Sequence, residues 1–145
     1  MTKFALDTQL YVQAFRNADS GEELRQYYRE YTPKTHLSSV VLHELAIGGT
    51  SEESAGWTER VGRQFQRLTR IFTPSHNAWR NAGTVLSRLA KERGIELRRI
   101  PRSLVNDVLI AASCREAGVT LVTANARDFE MIRRVLPFDF VPPWP

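Results

Sequence analysis

Val119-Thr120-Leu121-Val122-Thr123 is an unbroken run of β-branched and apolar residues between two stretches of helical pattern. A strand with no polar face is buried on both sides, a habit of parallel sheets rather than antiparallel ones. Lys3-Phe4-Ala5-Leu6-Asp7 repeats the theme near the start, and His36 to Val41 reads as a second strand. Strands separated by helices call for crossover connections and a parallel sheet covered on both faces. In such sheets, sites form beyond the carboxyl ends of the strands. That rule directs the search for chemistry.

The helical segments are read from periodicity and stop signals. A short helix is expected over 8–15. A turn cluster, Asn17-Ala18-Asp19-Ser20-Gly21, is then followed by a helix over 21–31, with Ser20 as cap and Glu23 completing a capping box. Leu42 to Ile47 reads as helical, with Gly48-Gly49 ending it. A long helix is expected over 51–72, with Trp57, Val61, Phe65, Leu68 and Phe72 on one face; Ile71-Phe72-Thr73 offers a short strand instead. The next helix, over 75–93, is expected to turn Trp79, Ala82, Leu86 and Leu89 inward. Helices over 103–117 and 127–136 and an edge strand over 138–141 complete the reading. One domain spanning 1–145 is expected, because a chain of 145 residues buries a working core unaided.

Charge and cysteine content narrow the classes. No apolar run approaches the roughly 18 residues that span a bilayer, and MTKFALD is too short a stretch for a signal peptide. A cytoplasmic protein is expected. Cys114 is the only cysteine, which excludes an intrachain disulfide and a thiolate zinc site. The net charge of +4 comes from 17 Arg and 3 Lys against 16 acids. Arginine forks onto phosphates and stacks on bases, and it pairs equally well with a protein's carboxylates. Arg98, Arg99 and Arg102 precede the helix that carries Asp107 and are the candidate phosphate contacts; Arg60, Arg63, Arg67 and Arg70 read as a solvated stripe.

Four acids stand where the chain leaves or re-enters the carboxyl edge of the sheet. Asp7 ends an apolar strand, Glu44 starts the helix after the second strand, Asp107 is placed in the first turn of its helix, and Asp128 follows the strand ending at Thr123. Taken singly, Glu44, Asp107 and Asp128 also suit capping or salt-bridge roles. Asp7 is harder to explain that way, because a carboxylate closing an apolar strand is costly unless paired or metal-bound. As a set they repel: two carboxylates about 4 Å apart cost on the order of 4 kcal/mol at an effective dielectric near 20. A hard divalent cation with oxygen ligands, Mg²⁺ or Mn²⁺, removes that cost. Thr8, Ser39 and Thr123 lie close enough in sequence to donate hydrogen bonds around such a site.

The stretches FALDTQLYV, SSVVLHELAIG and NDVLIAASCREAGVTLVTANARDFEMI, in that order and spacing, resemble a PIN-domain protein. They are most similar to the PIN-domain ribonuclease toxins of type II toxin–antitoxin modules, the VapC-like group. The resemblance covers nearly the whole chain. It implies a three-layer α/β/α sandwich around a parallel sheet of about five strands. It also implies Mg²⁺ or Mn²⁺ held by Asp7, Glu44 and Asp107. Many such proteins carry an Asp two residues after the strand-end Thr, where this chain has Asn125; Asp128, three residues on, offers the charge instead. The implied activity is endoribonuclease, with an RNA phosphodiester hydrolysed by a metal-activated water. A small cognate antitoxin and a homodimer are the implied partners. The alternative is a PIN scaffold that binds RNA or protein without cutting. No P-loop, GxSxG or GxGxxG pattern competes.

Overall fold

The computed structural model describes all 145 residues. Five short parallel strands form one sheet: β1 (Lys3–Leu6), β2 (Thr35–Ser38), β3 (Ile71–Phe72), β4 (Val119–Val122) and β5 (Phe140–Val141). Their order is β3-β2-β1-β4-β5. Seven helices connect them: α1 (Thr8–Arg16), α2 (Ala18–Tyr31), α3 (Ser39–Gly48), α4 (Glu52–Arg67), α5 (His76–Arg93), α6 (Arg102–Ala117) and α7 (Ala126–Val135). The chain moves outward from β1 to β3, then returns to β4 on the other side of β1. Right-handed crossovers therefore place α1–α4 on one face and α5–α7 on the other. The helix contacts agree, with α1 on α2 and α3 on α4, and with α5 and α7 both on α6. This is an α/β/α sandwich with a five-stranded parallel sheet.

Apolar strands sandwiched between helices supply the core. Ala5, Leu37, Leu121 and Val122 are buried in the sheet, with Tyr11, Val41 and Phe65 from one helical layer and Val108, Ile110, Phe129 and Ile132 from the other. Gly94 and Gly118 end α5 and α6 in left-handed conformation, φ 67° and 65°, which a residue without a Cβ adopts freely. The Cys114 thiol is sealed in the core. No helix is long and apolar enough to cross a membrane.

Several local expectations give way to capping and packing. The second strand ends at Ser38, not Val41, because the Ser38 hydroxyl accepts from the Val40 and Val41 N–H groups and starts α3 there. Burying Val40 and Val41 as helix residues overrides their strand preference. Helix α2 begins at Ala18, three residues early. Asn17 caps it, accepting from Asp19 and Ser20, so Ser20 is inside the helix and no capping box forms with Glu23. Glu23 instead accepts from the Trp144 indole at 2.9 Å. Helix α4 stops at Arg67, and Ile71–Phe72 takes the strand alternative by pairing with Leu37 and Ser38. Leu68 is left 40% exposed and Trp79 is 59% exposed rather than inward.

Candidate active site

The carboxyl ends of β1, β2 and β4 meet the starts of α1, α3 and α6, and the acids collect at that junction. Asp7 follows β1 directly. Its N–H donates to Val122 O of β4 at 2.9 Å, so the backbone still belongs to the sheet while the side chain caps α1. Oδ1 accepts from the Thr8 N–H at 2.9 Å and Oδ2 accepts from the Thr123 hydroxyl at 2.7 Å. With only 7% exposure, Asp7 is a buried carboxylate held by two neutral donors.

Glu44 comes from α3. It stands in the second turn of that helix, five residues after Ser39, and so reaches over the sheet edge rather than capping it. The Thr8 hydroxyl donates to Oε1 at 2.6 Å and the Asn106 amide donates to Oε2 at 3.2 Å. Asn106 thereby joins the two helices that carry Glu44 and Asp107. Asp107 lies in the second turn of α6 rather than the first: it is the sixth residue of a helix that starts at Arg102 with no side-chain cap. Asp128 sits in the first turn of α7, as the sequence suggested. Asn125 caps that helix, accepting from the Asp128 N–H at 3.4 Å, and its amide donates to Asp128 Oδ2 at 3.0 Å. The Thr123 hydroxyl closes the circuit by accepting from the Asn125 N–H at 3.0 Å. One hydrogen-bonded circuit thus runs from Asp128 through Asn125, Thr123, Asp7, Thr8 and Glu44 to Asn106.

Electrostatics tie Asp107 to the same cluster. Burial first, and then the charges of Asp7, Glu44 and Asp128, push its carboxyl up to about 8. Burial also raises Asp7, against the lowering effect of the Thr123 and Thr8 bonds and with the help of the Glu44 charge. Seven ion pairs occur in the protein, and none includes any of these four acids. Acids that share a low-dielectric site with no basic partner are a chemical request for a cation. The donor set is all oxygen, which suits Mg²⁺ or Mn²⁺ in kind. As the side chains stand, no three of them gather about one point that an ion could occupy. Asp7 and Glu44 are turned toward their hydroxyl and amide donors, and like charges keep apart. By donor chemistry, rather than by present geometry, these residues would suit such a cation.

The remaining sequence candidates divide. Thr8 and Thr123 are in the circuit. Ser39 makes no side-chain bond to it; the neighbouring Ser38 does the capping. Arg98 and Arg99 pair with Glu96 on the surface, and neither they nor Arg102 bond to the carboxylates. Asn106 was not singled out by sequence reasoning. An amide beside an acid on a helix carries no periodicity signal, and its partner lies 62 residues away.

Residues 4–135 match the PIN domain family. Ribonuclease VapC2 of Haemophilus influenzae (strain ATCC 51907) is 28% identical over 134 residues, which is 91% of this chain and 93% of that protein. Among solved structures, DNA-bound VapBC from Salmonella typhimurium includes a chain 24% identical to this one, with a TM-score of 0.70 and 98% of both chains covered. FitAcB from Neisseria gonorrhoeae includes another at 20% identity and TM-score 0.67, covering 97% of this chain and 98% of that one. These likenesses carry the fold.

Proposed function

Because the chain belongs to the PIN-domain family, we propose that it is a Mg²⁺- or Mn²⁺-dependent endoribonuclease, the toxin of a toxin–antitoxin module. The observation that supports this most is the cluster of Asp7, Glu44, Asp107 and Asp128, mutually coupled and without a cationic partner. Asp7 and Asp107 would hold the cation by their carboxylate oxygens, and Asp128 would complete the negative charge where Asn125 stands. Bound there, the cation lowers the pKa of a water and offsets charge developing on the phosphate.

The protein's own groups do the rest. Glu44, held from both sides by Thr8 and Asn106, orients the attacking water and takes its proton. The water oxygen attacks phosphorus in line, the bond to O3′ breaks, and O3′ leaves with a proton from solvent. The products carry a 5′-phosphate and a 3′-hydroxyl. The Thr123 hydroxyl holds Asp7 Oδ2 by a hydrogen bond and tempers its charge. A small antitoxin is the proposed partner, since one structure of matching fold is a toxin–antitoxin complex from Klebsiella pneumoniae, and a homodimer is the proposed assembly.

The decisive experiment incubates wild type and Asp107→Asn with total RNA, in Mg²⁺ and in EDTA, and maps the 5′ ends. Cleavage by wild type in Mg²⁺ alone supports the reading; equal degradation by both proteins, or in EDTA, overturns it. One observation favours a second reading, a PIN scaffold that binds RNA or protein without cutting: no three acids are arranged about a common point. Tight RNA binding without Mg²⁺-dependent new 5′ ends would establish it.

A further inference from the structure

Helix α5 presents a face that the core does not use. Trp79, Arg80, Gly83, Thr84, Ser87, Arg88 and Lys91 border one shallow groove on it. Their spacing makes two adjacent rows along the helix, so the groove runs lengthwise. Small residues form its floor, and open space lies over Gly83. Trp79 stands at one end with 59% of its surface exposed, an expensive placement for an indole that nothing in the fold explains. From Trp79 to Lys91 the helix rises about 18 Å.

Charge says what kind of partner suits this face. Between His76 and Arg102 the chain holds seven Arg or Lys and two Glu, a net +5, against +4 for all 145 residues. The rest of the molecule is therefore slightly acidic, and the positive excess belongs to this segment. Glu92 engages Arg88, and Glu96 engages Arg98 and Arg99; Arg80, Lys91, Arg93 and Arg102 have no ion-pair partner. A second copy of the chain laid against this face by a two-fold axis would meet the same cations. A polyanion with stackable rings meets opposite charge and an indole face.

The face also leads to the carboxylates. Ser75, at the start of α5, bonds Glu116 near the end of α6, and the two helices pack along their length. They are thus antiparallel, and the Lys91 end of the groove lies beside the start of α6, where Arg102 and then Asp107 follow. We propose that the α5 face from Trp79 to Lys91 is a substrate track: single-stranded RNA lies along it, with phosphates on Arg80, Arg88 and Lys91 and a base stacked on Trp79, and passes Arg102 toward the acids. This rests on the ribonuclease reading above and extends it to residues far from the cleavage point.

The test uses a fluorescently labelled short single-stranded RNA, the full-length protein, and EDTA to prevent cleavage. Anisotropy titrations across a range of salt are compared for wild type, Trp79→Ala, and the triple variant Arg80→Glu, Arg88→Glu, Lys91→Glu. All changed side chains are exposed, and unaltered melting confirms folding. The triple variant is expected to flatten the slope of log affinity against log salt by about 2, since each phosphate contact on a single strand contributes about 0.7. Trp79→Ala is expected to weaken binding roughly tenfold with the slope unchanged. In Mg²⁺ both variants are expected to raise KM for long RNA and keep kcat. Variants that bind as wild type overturn the track. So does a loss of self-association in sedimentation with RNA affinity intact, which would make the face a contact between copies. Wild type that binds RNA through this face yet never cuts it leaves the track standing and removes the ribonuclease reading; wild type that binds no RNA removes both.

Discussion

The two ends of the sheet bury polar groups in opposite ways. At the amino end, Thr35 is fully buried, yet its hydroxyl meets the Tyr27 hydroxyl at 2.8 Å and donates to Tyr31 O at 2.7 Å. These hydroxyls and the carbonyl are neutral and partnered, so the burial costs little and holds α2 against β2. At the carboxyl end, Asp7 and Asp107 are acids beside Glu44 and Asp128, with hydroxyl and amide donors but no base. No buried side-chain polar atom anywhere in the protein lacks a hydrogen-bond partner. What separates the two ends is therefore uncompensated charge rather than missing bonds. The amino end stabilises the fold, whereas the carboxyl end gathers like charge at a cost to stability.

Substitutions at each end should break or sharpen that contrast. The largest expected effect is on cleavage: Asp107→Asn should lower the Mg²⁺-dependent rate on RNA by about 10³-fold or more, roughly 4 kcal/mol of barrier, measured by gel assay at saturating Mg²⁺. Asn106→Ala should cost about 10-fold or more in rate, because it frees one side of the Glu44 carboxylate that orients the water. Its melting in EDTA should stay near wild type.

Stability in EDTA should run the other way for Asp107→Asn. With its carboxyl raised to about 8, Asp107 keeps a proton in the folded state that the unfolded chain has released above its ordinary 3.8. Folding stability therefore falls as pH rises between about 4 and about 8, and the raised Asp7 acts in the same direction. Asn removes the Asp107 part. The variant should gain almost nothing near pH 4 and progressively more as pH rises to about 8, read as a melting shift that grows with pH. A flat or inverted difference across that range would show that Asp107 is not a strained acid. The smallest effect belongs to the amino end. Thr35→Val should lower stability by about 1–2 kcal/mol, by leaving the Tyr27 hydroxyl and Tyr31 carbonyl short of a partner, without changing cleavage.

The contrast also explains what could be read without coordinates. Asp7 was legible because an apolar strand rarely closes on an acid, and Thr123 because it ends the most β-branched run in the chain. A parallel sheet covered on both faces followed from strands alternating with helices, whereas the sandwich of about five strands came from the family resemblance. What failed was local competition. Val40 and Val41 look like strand, but one serine hydroxyl accepting from both their N–H groups starts a helix instead. Asn17 outcompeted Ser20 as a cap for the same reason. Glu44 was placed a turn too early because its helix starts three residues sooner than expected, while Asp107, fifth in the expected helix, already lay beyond the first turn. Asn106 was invisible, since its meaning depends on α3 and α6 meeting. Trp79 was assigned inward by spacing alone, and only the packed molecule shows its face turned to solvent.

The central claim is that acids from four separate segments serve one hard cation, and binding measured without RNA tests it most directly. Wild type and Asp107→Asn are melted near neutral pH in EDTA and in rising Mn²⁺. The account predicts that Mn²⁺ stabilises wild type by about 3 kcal/mol at a hundredfold excess over its dissociation constant. It predicts little or no gain for Asp107→Asn, which starts out more stable. A wild-type melting temperature that is the same in EDTA and in saturating Mn²⁺ would contradict it.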